Sequence, residues 1–491
     1  MKDSDTLVKN ITRYAASNMF QRACGIVNTF IKPRLLPPEL YGLWNLISII
    51  TTYATYAHLG TRNAMFYLLP YHKSRNETTE GNDIKSAVFY GSMFLSIIIT
   101  AGVWVYAFSA NLNKMEQAGL LSVGILIILN CIFDYQFNEI SADKRFKLIS
   151  SINYKRSVIA VILNAGLIYY LSIYGMYLSA LLSVLIMVIY MHMVSPIKLI
   201  EPFKKAVFFE LTKKGMPILV YNVSNDLISS IDKIIIAYLL GVKELGYYSI
   251  TGLVFNFLVQ IPGDAREVVE VDLMGSVTTS KREDTLDDYF FKPLSYTSHF
   301  MPFLLGPSFF LIVPFIHLVL PKYIQGIVPT QIVAIGSYFF ALAFIARGII
   351  ISHNKQFQAS VVICLVLVFN GLAAVSFITM GYGTVGVACG SSLSFFILFI
   401  ALYIFVRSFY KDCSLLSWFK KIKDVFIIFF IMSFIIAALA YISSVVPINK
   451  YISAAVATVL YCLAMYGVSA WMSPDFLHLK IINLIKRKRG R

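Results

Sequence analysis

The sequence predicts an all-α integral membrane protein of about fourteen transmembrane helices: two six-helix lobes in parallel repeat, followed by two extra C-terminal helices. Three observations carry this reading. Over 491 residues the chain is 58% hydrophobic, 15% aromatic and only 14% charged, with mean hydropathy +0.71, a balance foreign to soluble domains. Apolar stretches long enough to cross roughly 30 Å of hydrocarbon as helices recur along the whole chain, among them 87–108, 158–190, 294–320 and 425–446. Finally, Lys and Arg gather in alternate loops, the pattern of cytoplasmic loops.

Hydropathy and turn signals place the spans at 14–31, 39–60, 86–108, 118–140, 158–172, 176–194, 215–240, 244–262, 294–320, 326–346, 358–379, 382–406, 425–445 and 451–472. The first holds polar residues (Asn18, Gln21, Arg22, Asn28) where a cleaved signal peptide has a short apolar core, so no cleavage is expected. With the N-terminus inside, 34 of the 42 basic residues fall on the cytoplasmic side, and both termini are expected in the cytoplasm. The net charge of +16 is then mainly a topology signal and requires no nucleic-acid partner. The segment 263–292 mixes both charge signs and reads as a solvated linker with an amphipathic stretch; the tail "KRKRGR" reads as a strip attracted to anionic lipid.

One short phrase occurs twice. "LLPPELYGLW" (Leu35–Trp44) returns as "LLGVKELGYY" (Leu239–Tyr248), with Leu-Leu, five residues and Gly-x-aromatic in common at an offset of 204. The same offset places Asn18 on Asn222, Gln21 on Asn225, Arg22 on Asp226, Gly25 on Ser229 and Asn28 on Asp232. Spans one and seven therefore share a polar stripe that steps by three and four residues along one helix face. Six spans lie between the copies, so both halves enter the membrane in the same direction, as parallel repeats do. The expected domains are an N-terminal lobe (1–200), a C-terminal lobe (201–410) and two further spans with a basic tail (411–491).

Neutral members of such a stripe can serve simply as hydrogen-bonding glue between helices. A charge at the bilayer centre costs on the order of 3 kcal/mol on insertion scales, so Arg22, Asp226, Asp232 and Lys233 are expected to face a wet cavity or one another, with an Arg22–Asp226 pair between the halves as the structural alternative. Asp134 and Glu139 near the end of span four, and Arg347 at the end of span ten, read as boundary residues. The chain has no Walker loop, HExxH or GxSxG, and every predicted outer loop is about ten residues or shorter. "GYGTVG" (Gly381–Gly386) fits a helix–helix turn, because no strand precedes it. The six cysteines form no CxxC pair, so neither a disulfide framework nor a metal site is expected. No cofactor and no enzymatic activity are predicted.

The polar first span, "PPELYGLW", the second span ending "HLGTR" (His58–Arg62), and the seventh ending "DKIIIAYLLG" before "LGYYSI" resemble the polysaccharide-transporter branch of the multidrug/oligosaccharidyl-lipid/polysaccharide exporter superfamily. The resemblance covers spans one to eight by motif and the rest by span count. It implies two lobes around a central cavity, ion-coupled alternating access, and an undecaprenyl-pyrophosphate-linked oligosaccharide repeat unit as substrate, for O-antigen or capsular polysaccharide synthesis. On that basis Arg22, Lys233, Asn18, Asn222, Arg13 and Arg62 are the candidate substrate-binding residues, and Asp226 and Asp232 the candidate ion-coupling residues. Implied partners are the lipid-linked oligosaccharide, the bilayer, and a polymerase and glycosyltransferases of the same pathway. Lipid II flippase, drug/cation antiporter and membrane-embedded glycosyltransferase or polymerase stand as alternative readings.

Overall fold

The computed structural model describes residues 2–75, 77–143, 145–198, 201–276, 290–409, 415–446 and 449–472, and helix is the regular structure throughout them. In chain order the helices are α1 (Lys2–Leu35), α2 (Pro38–Ala54) with a 3-10 extension (Thr55–His58), α3 (Thr61–Ser74), α4 (Thr78–Ser109), α5 (Lys114–Ala142), α6 (Phe146–Val194), α7 (Lys205–Ile228), α8 (Ile231–Leu239) and α9 (Val242–Ser276). There follow α10 (Lys292–Phe300), α11 (Pro302–Val319), a 3-10 segment (Pro321–Gly326), α12 (Ile327–Ala343), α13 (Ala346–Ser352), α14 (Gln356–Thr379), α15 (Gly383–Arg407), α16 (Leu415–Val445) and α17 (Lys450–Met472). Among the described residues nine helical stretches are long and apolar enough to cross a membrane. One of them, α6, has 49 residues and bends at Ser172 (φ 51°, ψ −126°), so it has the length of two crossings and its bend falls at the predicted boundary between spans five and six. The other predicted spans lie in α1, α2, α7–α8 and α9, whose polar residues or short lengths keep them below that threshold.

The structure departs from the sequence reading in four places, the first being that 263–276, expected as the start of a solvated linker, continue the backbone of α9, while 277–289 of that segment lie outside the described residues. Predicted span 215–240 is broken at Ser229–Ser230. Predicted span 39–60 stops being α-helical at Ala54 and ends in a left-handed turn, Leu59 (φ 46°) and Gly60 (φ 84°). Residues 61–74, expected as loop, form α3, because Ala64, Met65 and Leu69 bury one face against Ile84, Ala87, Val88, Tyr135 and Leu211. The "GYGTVG" turn is as expected: α14 ends at Thr379, Gly381 and Gly383 take φ of 87° and 54°, and α15 begins.

The chain divides into two compact units, one of residues 1–230 and 240–246, the other of 231–239 and 247–491. In the first, α1 and α5 pack on α6, α4 on α5, and α3 on α7. In the second, α12 and α14 pack on α15, α8 on α14, and α11 on α17. Its packing includes Tyr461, whose hydroxyl donates to the Pro302 carbonyl (3.0 Å) and whose ring lies where a Cβ on Gly306 would sit.

Inside the first unit the first copy of the repeated phrase meets residues 240–246 of the second. A Cβ on Gly42 would stand 1.9 Å from the Val242 carbonyl oxygen, and one on Gly246 would stand 2.0 Å from the Pro38 carbonyl oxygen. Lys243 Nζ lies 3.2 Å from Glu39 Oε1. The pairs 38/242, 39/243 and 42/246 are each related by the offset of 204, so every contact is made twice or made with its own equivalent, the signature of a local two-fold relation. Only glycine lets two helix starts approach backbone to backbone in this way.

Candidate functional site

The polar residues gather where helices break. At the end of α7 the Ser229 and Ser230 hydroxyls donate to the Asp226 carbonyl (3.0 and 2.6 Å), and Ser230 N–H donates to the Leu227 carbonyl (3.1 Å). Side-chain hydroxyls thus compete with the backbone ladder and end the helix. The freed end is met by α2 and its 3-10 extension: Tyr56 donates to Asp226 Oδ2 (2.5 Å), and the Tyr53 hydroxyl shares a short hydrogen bond with Ser230 Oγ. Asp226 is half-buried, with half-buried Asn222 one turn earlier on α7.

Asp232 sits in the first turn of α8, six residues beyond Asp226 but in the second unit. It is 8% exposed, and both carboxylate oxygens have donors: Lys233 N–H to Oδ1 (2.8 Å) and the buried Tyr248 hydroxyl to Oδ2 (2.7 Å). The unpaired N–H groups and positive dipole end of α8 favour a carboxylate here. Lys233 is half-buried, its Nζ beside Gly252 of α9. Breaks of this kind aim helix ends at a polar spot within the membrane, which is how transporters with discontinuous helices build ion and substrate sites.

Arg62 is placed elsewhere in the first unit. Only 6% exposed, it donates to Asp134 Oδ2 at 2.8 Å, while Arg156 lies over the Phe133 ring at 4.5 Å. The turn before Arg62 is fixed as well: Gly60 N–H donates to His58 Nδ1 (3.0 Å), and a Cβ on Gly60 would stand 2.5 Å from the Gly215 backbone of α7. Lys85–Glu139 and Lys204–Asp83 (both 2.7 Å) add ion pairs in this unit, and the hydrogen bond that Lys204 donates to Asp83 raises its ammonium above the usual lysine range. Arg22 is half-buried on α1. The backbones of Arg13 and Asn18 belong to α1, and their side chains lie outside the described residues. Among the described residues no group of three His, Cys, Asp or Glu is placed to hold a metal ion.

The sequence reading thus named Asp226 and Asp232 but missed their tyrosines. Tyr56, the partner of Asp226, and Tyr53, the partner of Ser230, lie 170 or more positions away, a separation that no local pattern reports, whereas Tyr248, the partner of Asp232, lies 16 positions on, across the loop between two helices. The Ser229–Ser230 doublet after Asp226 was the one local signal of the break.

Helices broken beside a half-buried and a buried carboxylate, in two all-helical units, make a fold that solved structures share. The chain is similar to the lipid II flippase MurJ in an inward closed conformation, with TM-score 0.71 and 12% identity over 95% of this chain and 99% of that one. It is similar to a multidrug resistance MATE family transporter of the MOP superfamily in an inward-facing conformation (TM-score 0.62, 11% identity, 82% and 100% of the two chains) and to an outward-facing one (0.58, 12%, 83% and 97%). Residues 33–329 match the family described as polysaccharide biosynthesis protein, and the chain belongs to that family. No curated protein sequence matches it. The resemblance to the polysaccharide-transporter branch, read from motifs in the first eight spans, is met by these findings.

Proposed function

We propose that the protein is a flippase that moves undecaprenyl-pyrophosphate-linked oligosaccharide repeat units across the inner membrane by ion-coupled alternating access, for O-antigen or capsular polysaccharide synthesis. The observation that carries this reading is a polysaccharide-biosynthesis family match over 33–329 on a chain whose fold follows a lipid II flippase over 95% of its length. In this reading the chain is built from two parallel repeats, with 1–200 and 201–410 as its lobes, and the loop charges put both termini in the cytoplasm. Arg22, Lys233, Asn18, Asn222 and Arg13 contact the substrate, and Asp226 and Asp232 respond to the coupling ion. Arg62, already paired with Asp134, contributes to substrate binding only if that pair opens.

Deletion of the gene tests the reading. The expected result is loss of surface polysaccharide with lipid-linked repeat units retained on the cytoplasmic leaflet of viable cells. Lysis with accumulation of lipid II would instead establish the second reading, a lipid II flippase, which the MurJ-like fold favours. In complementation, Arg22→Ala abolishes transport while the protein remains in the membrane, and Arg22→Lys retains part of it, since an ammonium holds a phosphate as a point charge without bidentate geometry. Normal polysaccharide from the alanine variant removes Arg22 from the substrate site.

A further inference from the structure

A cation outside the sites above has no counter-charge among the described residues. Lys32, in the last turn of α1, is half-buried, with its Nζ 5.5 Å from the centre of the Trp44 ring of α2. Among the described residues no carboxylate lies within ion-pair distance of it and no side-chain hydrogen bond takes its protons. A cation–π contact contributes roughly 0.5–2 kcal/mol, less than the several kcal/mol it takes to withdraw an ammonium from water.

The seat under that ammonium is braced. Tyr177 of α6 lies 6.2 Å from Trp44, ring centre to ring centre, and its hydroxyl donates to the Met115 carbonyl of α5 (3.1 Å). Gly119 leaves the space for this arrangement: a Cβ there would stand 2.8 Å from the Tyr177 hydroxyl and 2.4 Å from Ile47 Cδ1. A lysine at a helix C-terminus also complements the helix dipole, but Arg34, exposed in the same turn, can do so without a half-buried aromatic seat. Three helices therefore hold one ammonium with its protons unspent, at the end of α1 that the loop charges assign to the outer face. A compact ammonium is suited to phosphate as a point charge.

We propose that Lys32, seated on Trp44, is a phosphate-binding subsite that receives the pyrophosphate head group of the lipid-linked substrate at the outer face. The proposal rests on the flippase reading for the source of that phosphate.

The test is direct binding to the purified full-length protein in phosphatidylcholine nanodiscs, with three probes: a short-chain polyprenyl pyrophosphate, the corresponding polyprenol, and phosphatidylglycerol. Lys32→Gln is expected to weaken the pyrophosphate about tenfold and to leave the polyprenol unchanged. Lys32→Arg retains most of the affinity, and Trp44→Leu, which keeps the charge but removes its seat, loses roughly threefold. If Lys32→Gln cannot be recovered folded, the Trp44→Leu measurement decides. Pyrophosphate affinity unchanged in the recovered variants overturns the proposal. So does an equal loss for phosphatidylglycerol, which would mark a site for bulk anionic lipid. Since binding needs no transport, a wild-type protein that binds through Lys32 but does not restore polysaccharide in the deletion strain refutes the flippase reading and leaves the phosphate subsite standing.

Discussion

The two copies of the repeated segment agree in one region and part company in another. At their shared ends, Pro38–Gly42 and Val242–Gly246, the copies touch through equivalent residues, backbone against backbone. Along the polar stripe the equivalences are 22/226, 25/229 and 28/232, and there Arg corresponds to Asp, Gly to Ser and Asn to Asp. The structures differ accordingly: α1 runs unbroken through Gly25, whereas the other copy breaks at Ser229–Ser230 into α7 and α8. Steric need holds both partners of a self-contact to the same residue, because a Cβ on either side collides with main chain. The stripe carries no such mutual constraint, and its two copies are free to take up different charges and chemistry.

The most forceful way to break this comparison is to remove the steric reason for agreement. Gly42→Ala and Gly246→Ala each push a Cβ into a carbonyl that belongs to a helix start and cannot rotate aside. Overpacking of this sort typically costs about 1–3 kcal/mol, and here it also moves the helix start. Each variant should lower the thermal midpoint of the purified protein and strongly reduce surface polysaccharide. The double variant should fall short of the sum, because one separation of the helices relieves both clashes. Full additivity would mean the two glycines do not share a contact.

An intermediate effect separates the acids on either side of the break. Asp232 is buried with both oxygens paired, so Asp232→Ala strands the Tyr248 hydroxyl and takes the carboxylate from the start of α8, at about 1–3 kcal/mol. Asp226 is half-buried with Tyr56 as partner, so Asp226→Ala lets water take over and should leave the thermal midpoint nearly unchanged while transport falls. Equal midpoints in the two variants would erase the distinction between a carboxylate that helps hold the fold and one that remains available to an ion.

How much of this was legible follows from the range of each interaction. Hydropathy and loop charge are local sums, and they delivered the helical class, the bend near Ser172 and the turn at Gly381–Gly383. The offset of 204 gave the repeat, and with it Asp226, Asp232 and the two glycines as equivalent positions. What the sequence concealed were partners chosen by packing. Arg62 read as a substrate cation because the family resemblance implies cations for a pyrophosphate head group, yet Asp134, 72 positions on, lies against it. Residues 61–74 read as loop because Arg62, His72, Lys73 and Pro70 obscure the apolar face of α3.

The smallest effect tests the symmetry itself. Glu39 and Lys243 are equivalent positions that meet each other, and both are more than half exposed (51% and 57%), so the pair is worth only about 0.2–1 kcal/mol. If the contact has local two-fold character, Glu39→Lys combined with Lys243→Glu regenerates the same pair in mirror order, since each position sees the other across the same gap. Either single substitution places like charges opposite one another and should lower the thermal midpoint slightly, more in low salt than in high salt because the repulsion is screened. The double variant should return to the wild-type midpoint at both salt concentrations. A double variant no better than the worse single would show that the surroundings of positions 39 and 243 are not interchangeable, and that the two-fold relation is confined to the glycine backbone contact.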